Sequence, residues 1–375
     1  MTRVLIIEPS GGLWGSERAL LDLIGSARDL DVAVCCPPGT PLVAELAARG
    51  ARVEPRFVAG LHAKSRWQRL KAAFGVLRAA LTFRPDVIHL NQSGAYKVVL
   101  PAAVLLGLPI VGHVRIFEDA AYLARQKPNP RRLKALIAIS EAVEAEILTY
   151  AALRVIPLHR VYDAYTPAPT SEVGAKTPGR IACVGRIAPI KGQDVLLGAM
   201  AMTALLPEDA ECLIAGGGEE DDLTRLQNVA ADAGARRVRW LGVVGDVGAL
   251  LKTCPVLVCP SYREPLGRVI LEAWDAGAVP VAFAGAGGSA EIISAAGGGL
   301  VYQKQTPECL ARALAAALSL PKADAERYVA NGRAWMAANC GAERYGRALG
   351  AVFSAAAGDK PIGVQARPAL EAHAE

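Results

Sequence analysis

Short apolar runs alternate with amphipathic stretches along almost the whole chain. Val4–Ile7, Val32–Cys36, Val53–Pro55, Val87–Leu90, Ile110–His113, Ala135–Ile139 and Val155–Pro157 read as strands of a front half. Between them Glu17–Ala27, Pro41–Arg49, Gln68–Phe83 and Glu141–Ala151 place apolar residues at helical spacing. Strands that are apolar throughout, separated by helices, predict a parallel sheet covered on both faces. Pro167–Gly179 is rich in Pro, Thr, Ser and Gly, has no period, and predicts a linker. The alternation then restarts with strands at Ile181–Val184, Glu211–Ala215, Val238–Trp240, Val256–Cys259, Pro280–Phe283 and Gly299–Val301. Helical patterns at Gln193–Leu206, Leu223–Gly234, Val247–Cys254 and Gly267–Ala276 intervene. Past Thr306 only helical patterns remain, through Leu318 and over Ala323–Ala338 and Ala342–Ala357, before a frayed tail from Gly358. The expectation is α/β: two doubly wound domains, 1–165 and 166–341, with a flexible tail 358–375. In such sheets ligands sit beyond the carboxyl ends of the strands, so two facing halves put the site in a central cleft.

The composition supports two sizeable cores, since 52% of 375 residues are hydrophobic and 21% charged. Eight cysteines without a Cys-x-x-Cys pair predict buried free thiols in a reducing compartment. The chain opens on a strand and a glycine turn instead of a signal peptide, and its nearest approach to a membrane span, Val98–Leu108, is about half the roughly 20 residues required. A cytoplasmic protein is expected. The net charge of +5 is uneven: residues 1–160 carry +8 and the remainder −3. His62–Arg84 holds Lys64, Arg66, Arg69, Lys71, Arg78 and Arg84 and no acid, with Trp67, Leu70, Phe74, Leu77 and Leu81 at helical spacing. Arg125, Lys127, Arg131, Arg132 and Lys134 form a second basic cluster. Two readings stay open here: a helix packed on the sheet, or one lying on an anionic membrane surface as a peripheral anchor. Nucleic acid is not expected as a partner, because aromatics are only 5% and no recognition motif is present.

The densest candidate chemistry is Glu264-Pro265-Leu266-Gly267, followed by Glu272. Glu264 falls in the turn before a helix and Glu272 in its second turn, on either side of amides that attract anions and hydroxyl oxygens. Gly11 and Gly12 follow the first strand, where a Cβ-free backbone can approach a diphosphate. Arg186 and Lys191 follow the first strand of the second half, and two cations on a loop before a helix suit two phosphates. Gly216–Gly218 and Gly242-Val243-Val244-Gly245 are further strand-end turns with room for a nucleobase edge. Gly287 and Gly288 lead from a strand into a short helix reaching Glu291, and His113 ends a strand. Each has a plainer reading as a tight turn, a solvated cation or a structural histidine. Asp29-Leu30-Asp31 precedes its strand instead of following it and reads as a solvated turn; with no His/Cys cluster, no metal is expected.

Taken in order, these words resemble glycosyltransferase family 4, the retaining enzymes of the GT-B fold. The matching stretches are Gly-Gly-x3-Ser-Glu at 11–17, Pro85-Asp86-Val87-Ile88-His89, Ala138-Ile139-Ser140-Glu141-Ala142, Val184-Gly185-Arg186-x4-Lys191-Gly192, Pro260-Ser261-x2-Glu264-Pro265-Leu266-Gly267, Glu272-Ala273 and Gly287-Gly288 with Glu291. The resemblance covers about residues 3–355 and implies two Rossmann-like domains, with the helix at about 342–357 crossing back onto the first. It implies that Arg186 and Lys191 hold a donor diphosphate, that Glu272 binds the ribose and Glu264 the donor sugar, that backbone near Gly12 and Gly288 lines phosphate and sugar, and that His113 sits by the transferred sugar. Two departures stand out: Pro-Leu-Gly replaces the usual Pro-Phe-Gly, and Tyr162-Asp163-Ala164 replaces the usual Asn-Gly before the linker.

The expected function is transfer of a hexosyl group from a nucleotide-sugar to a hydroxyl acceptor, with retention and without a metal or other cofactor. A glycan or glycolipid precursor at the membrane is the expected acceptor. Two alternatives are a nucleotide-sugar epimerase or hydrolase of the same fold, and a non-catalytic nucleotide-sugar-binding protein.

Overall fold

The computed structural model describes residues 1–27, 29–56, 58, 65–167 and 175–358. Part of the segment read as a linker, the His62–Lys64 end of the basic segment, and the tail beyond Gly358 lie outside those residues.

The first sheet contains β1 (Thr2–Ile7), β2 (Leu30–Cys36), β3 (Arg52–Pro55), β4 (Val87–Leu90), β5 (Ile110–Val114), β6 (Leu133–Ala138) and β7 (Leu158–Arg160). All pairs are parallel, in the order β3-β2-β1-β4-β5-β6-β7. Helices α1 (Gly15–Ser26), α2 (Pro41–Ala48), α3 (Arg66–Phe83), α4 (Tyr96–Leu105), α5 (Phe117–Gln126), α6 (Glu141–Thr149) and α7 (Ala151–Arg154) connect them. The second sheet contains β8 (Arg180–Val184), β9 (Glu211–Ala215), β10 (Val238–Gly242), β11 (Val256–Cys259), β12 (Val279–Phe283) and β13 (Leu300–Tyr302), also parallel, in the order β10-β9-β8-β11-β12-β13. Its helices are α8 (Gln193–Ala201), α9 (Glu220–Asp232), α10 (Val247–Lys252), α11 (Arg268–Asp275), α12 (Gly288–Ala296), α13 (Pro307–Leu318) and α14 (Lys322–Asn339).

Continuous apolar strands do what double coverage requires. Val4, Leu5, Ile6 and Ile7 of β1 are all fully buried, as are Val256, Leu257 and Val258 of β11. Strand order reverses between β1 and β4, and again between β8 and β11, which opens a crevice at the carboxyl end of each sheet. The last helix, α15 (Ala342–Ala357), leaves the second domain and packs on α1, β1, β4 and β5. Tyr345, Leu349, Val352 and Phe353 are buried in the first domain's core, and Thr2 Oγ1 meets Ser354 Oγ at 2.8 Å. Each large apolar side chain so buried contributes about 1.5–3 kcal/mol, which holds the crossover in place.

Two expectations needed correction. Val155–Pro157 is not a strand: Val155 closes α7 with its side chain 66% exposed, and β7 begins at Leu158. The helix read over Glu141–Ala151 is interrupted at Tyr150, whose extended backbone (ψ 109°) separates α6 from α7.

Candidate functional site

The cavity lies at the reversal point of the second sheet, with a volume of about 230 Å³. Cys183, Val184 and Gly185 at the end of β8 and Cys259, Pro260 and Ser261 at the end of β11 form its floor. Lys191, Gln193, Glu264, Gly267 and Arg268 complete that side, and Gly15 of α1 faces them from the first domain.

Lys191 and Glu264 meet inside it: Nζ donates to Oε2 at 2.6 Å, and Ser261 Oγ donates to the same oxygen at 3.2 Å. Burial pushes the Lys191 ammonium down, but the facing Glu264 carboxylate outweighs burial and leaves its pKa above the ordinary lysine value. Lys191 is therefore a fixed cation at neutral pH.

Backbone geometry sets the Glu264 loop. Gly267, φ +82°, caps α11 in the left-handed region, where a side chain is strained. Gly288 lies so close to the loop that a Cβ would stand 2.2 Å from the Pro265 carbonyl oxygen. Glu264 pairs with Gly287 through Glu264 N–H to Ala286 O (2.6 Å) and Gly288 N–H to Glu264 O (2.8 Å). The glycine pair thus aims Glu264. Leu266 is 4% exposed and anchors the same loop in the core.

Glu272, in the second turn of α11, faces the first domain and accepts from Arg18 Nη1 of α1 at 3.4 Å. Burial raises its pKa, against the charges of Arg268 and Arg18. Arg268, the first residue of α11, donates to the Ala164 carbonyl (2.8 Å) and reaches Asp22 at 3.4 Å, while its Nε has no partner. The first turn of α12 also reaches the first domain: Glu291 accepts the Glu141 and Ala142 amides (2.9 and 3.0 Å) and the Tyr162 hydroxyl (2.7 Å).

Of the residues singled out from the sequence, Lys191, Glu264 and Gly267 converge on the cavity. Arg186 is exposed beside it, near enough for its charge to act on Lys191, and its carbonyl accepts from Gln193 Nε2 at 3.0 Å. Gly11 and Gly12, in the turn before α1, are not among the cavity's lining residues. The Gly12 amide donates to Ser10 Oγ (3.3 Å) and the Gly11 carbonyl accepts from Leu42 N–H (3.3 Å), while Gly15 does the lining.

His113 is not brought to the cavity. It is fully buried in the first domain, its Nδ1 3.4 Å from Arg115 Nη2 and its ring 5.6 Å from that of His89. Burial and the Arg115 charge push its pKa well below the ordinary value, so the ring is neutral. Arg115 in turn donates from Nη1 to both Asp163 carboxylate oxygens and from Nη2 to Tyr345 Oη at 3.0 Å, which ties the strand end, the pre-linker segment and α15 together. At the first sheet's own reversal point Glu8 accepts from Ser10 N–H (2.8 Å), Asn91 Nδ2 (2.5 Å) and Gln92 Nε2 (2.9 Å).

Sequence reasoning missed Gly15, Cys183, Gln193, Cys259, Ser261 and Arg268 as cavity residues. Ser261 and Arg268 stood inside or beside the recognised words, so their position after β11 was the available signal. The buried thiols carry no nucleophile: burial pushes Cys183 up to about 12 and raises Cys259. Among the described residues no three His, Cys, Asp or Glu side chains are grouped to hold a metal.

Two family models divide the chain where the two sheets do: a glycosyl transferase 4-like domain over residues 15–165 and glycosyl transferases group 1 over residues 170–335. The chain belongs to glycosyltransferase family 4. It is 37% identical over 142 residues to a D-inositol 3-phosphate glycosyltransferase of Streptomyces griseus, covering 35% of this chain and 29% of that protein. With a protein of the same description from Mycolicibacterium gilvum it shares 28% over 273 residues, 64% of this chain and 61% of the other. The chain therefore matches between 29% and 61% of these relatives' length. Among solved structures, Anabaena HepE in complex with UDP and glucose superposes with a TM-score of 0.78 at 19% identity, over 95% of this chain and all of the other. A sucrose-phosphate synthase from Thermosynechococcus elongatus gives 0.74 at 18% identity, over 95% and 99% of the two chains. These likenesses place the family chain in the GT-B fold.

Proposed function

We propose that the chain transfers a hexosyl group from a nucleoside diphosphate sugar to a hydroxyl of a lipid-linked or cell-surface glycan precursor, with retention and without a bound metal. The observation that carries this reading is the Lys191–Glu264 pair in a cavity at the reversal point of the second sheet. A diphosphate entering there would take over Lys191, and Glu264, released, would accept the hydroxyls of the sugar. Arg268 Nε offers a further unpartnered donor at the same wall, and Arg186 a charge at the rim. UDP and UDP-glucose in the HepE complexes make a uridine donor the first to try.

In the proposed reaction the anomeric C1–O bond breaks and its electron pair leaves with the nucleoside diphosphate. The acceptor oxygen bonds C1 on the same face, and its proton passes to the departing phosphate oxygen. Glu264 is the one carboxylate among the described residues that lines the cavity, and it is assigned to the sugar hydroxyls, which favours front-face attack through an oxocarbenium-like state. Lys191 acts by meeting the charge that grows on the leaving group, an interaction stronger in the transition state than before it.

A thermal-shift screen of UDP-, GDP- and ADP-sugars identifies the donor. NMR of the product then reads the anomeric configuration. Donor turnover that requires an added hydroxyl acceptor and keeps the donor's configuration supports the proposal. Turnover without acceptor would make the protein a hydrolase or epimerase, and tight donor binding without turnover would make it a binding protein.

A further inference from the structure

Helix α3 turns its large apolar side chains away from the protein. Its inner face consists of Ala72, Gly75, Val76, Ala79, Ala80 and Phe83, all buried. On the other side Trp67, Leu70, Phe74 and Leu81 are 80%, 61%, 59% and 55% exposed. At the helical turn per residue these four fall within an arc of about 60°. Single exposed apolar residues are ordinary, but an aligned row of four marks an interaction surface. Neighbouring α4 packs against α3 and exposes Val104 and Leu105 in its last turn.

Charge decides what covers the row. α3 contains Arg66, Arg69, Lys71 and Arg78 and no acidic residue. Lys71 and Arg78 border the apolar row on one side and Arg66 on the other, each within about 40° of its edge. The Arg78 guanidinium lies 6.0 Å from the Phe74 ring centre. Pairing α3 with a second copy about a two-fold axis would set these cations against themselves. An anionic bilayer instead takes an apolar row into its acyl boundary and the flanking cations into its headgroups.

The helix also needs no partner to form. Ser65 Oγ accepts from Gln68 N–H at 3.1 Å and Gln68 Oε1 from Ser65 N–H at 3.3 Å, so a capping box closes two donors at its start before any docking. α3 precedes β4 and runs against the strands, so Trp67 lies at the edge of the sheet where the strands end and the cleft begins. Among the described residues no helix is long and apolar enough to cross a membrane.

We propose that α3 is a docking face for an anionic phospholipid surface, with Trp67, Leu70, Phe74 and Leu81 inserted and Arg66, Lys71 and Arg78 on the phosphates. This gives the membrane part of the function above its surface and rests on none of the donor chemistry.

The test sediments the full chain with phosphatidylcholine vesicles that contain or lack phosphatidylglycerol, at low and high salt. Association is expected only with the anionic vesicles and is weakened by salt. Trp67→Ser with Phe74→Ser is expected to lower partitioning at least about tenfold, with unchanged melting temperature because both side chains are exposed. Arg66→Gln with Arg78→Gln should lower it as well, through the electrostatic part alone. Brominated lipid should quench the fluorescence of the wild type, and Trp67→Ser should remove that quenching. The donor-induced thermal shift should be the same in all variants, which separates failure of docking from failure of the donor site. Equal sedimentation with neutral vesicles, or none with anionic ones, overturns the proposal. So does a solution dimer that the serine variant dissolves in the absence of vesicle binding.

Discussion

Lys191 and Glu264 neutralise each other across 2.6 Å inside the cavity, so each is the other's occupant until a ligand intervenes. In the proposed reaction, losing Lys191 would remove charge from the transition state and free Glu264 to repel a diphosphate. Lys191→Ala is therefore expected to lower kcat at least about tenfold, the effect of roughly 1.4 kcal/mol; steady-state kinetics at saturating donor check it, and unchanged turnover rejects the role. Arg186 is exposed beside the cavity, and in the proposed reaction it would attract a donor without enclosing it. Arg186→Ala is expected to raise donor KM severalfold with kcat within about twofold, the pattern of lost uniform binding; an equal fall in kcat for both variants would place Arg186 on the reacting phosphates instead. The sequence exposed both cations because a strand, a glycine turn and a helix start surround them. It did not expose Arg18, which faces Glu272 from another domain at 3.4 Å, because no local period marks a partner brought in by tertiary docking. His113 was a strand-end residue on a sheet with a crevice above it, yet its ring turned into the core beside His89 and Arg115; alternation along a strand buried on both faces does not say which side chain reaches the crevice.

At the level of elements, the first-turn amides of α6 are closed partly by its own N-cap and partly from the other domain. Ser140 Oγ accepts from Val143 N–H at 3.1 Å, and Glu291 accepts the two amides before it. A carboxylate there satisfies orphan donors and complements the helix dipole. Glu291→Ala should cost about 1–2 kcal/mol, seen as a lower melting temperature, and should loosen the domains, seen as a larger radius of gyration in small-angle scattering; no change in either would leave the contact without consequence. The same elements show what was legible. Strand cores were, since a continuous apolar run has few other uses, and β4, β9 and β11 begin and end where the pattern does. The break between α6 and α7 was not, because Tyr150 departs from helical ψ without a proline or glycine to announce it. Nor was the outward aim of α3 decided by the sequence: its apolar spacing fits packing and docking equally, and only the small-residue face against the sheet chose between them.

For the whole molecule, the first domain seals four titratable groups whose trends compete. Burial, helped by the Arg115 charge, lowers His89 from 6.5 to about 3, and His113 is also pushed well below 6.5. Burial, helped by Glu17, raises Glu8 to about 8, and burial raises Asp119 to about 7. Below 6.5 the unfolded chain binds imidazole protons that the folded one refuses, so these two terms make stability rise with pH and then stop. Above their ordinary pKa near 4 the unfolded carboxyls release protons that the folded ones keep, so these terms make stability fall until about pH 7 for Asp119 and about pH 8 for Glu8. Between roughly pH 4.5 and 6.5 two terms oppose two; above that range the carboxyls act unopposed by histidine. Lys176, lowered to about 8 chiefly by burial, adds a weaker rise with pH at the alkaline end, so the informative quantity is a difference between proteins. Glu8→Gln removes the titration and keeps one oxygen, which serves the Ser10 and Gln92 donors on Oε1 but not the Asn91 donor on Oε2. From pH 7 to 8 the wild type should lose about 1 kcal/mol relative to that variant, less than the 1.4 per unit that one full proton allows. Urea denaturation of both proteins at the two pH values measures it. Parallel pH dependence in the pair would mean that Glu8 is already ionised in the folded state, held by its three donors more strongly than burial opposes them.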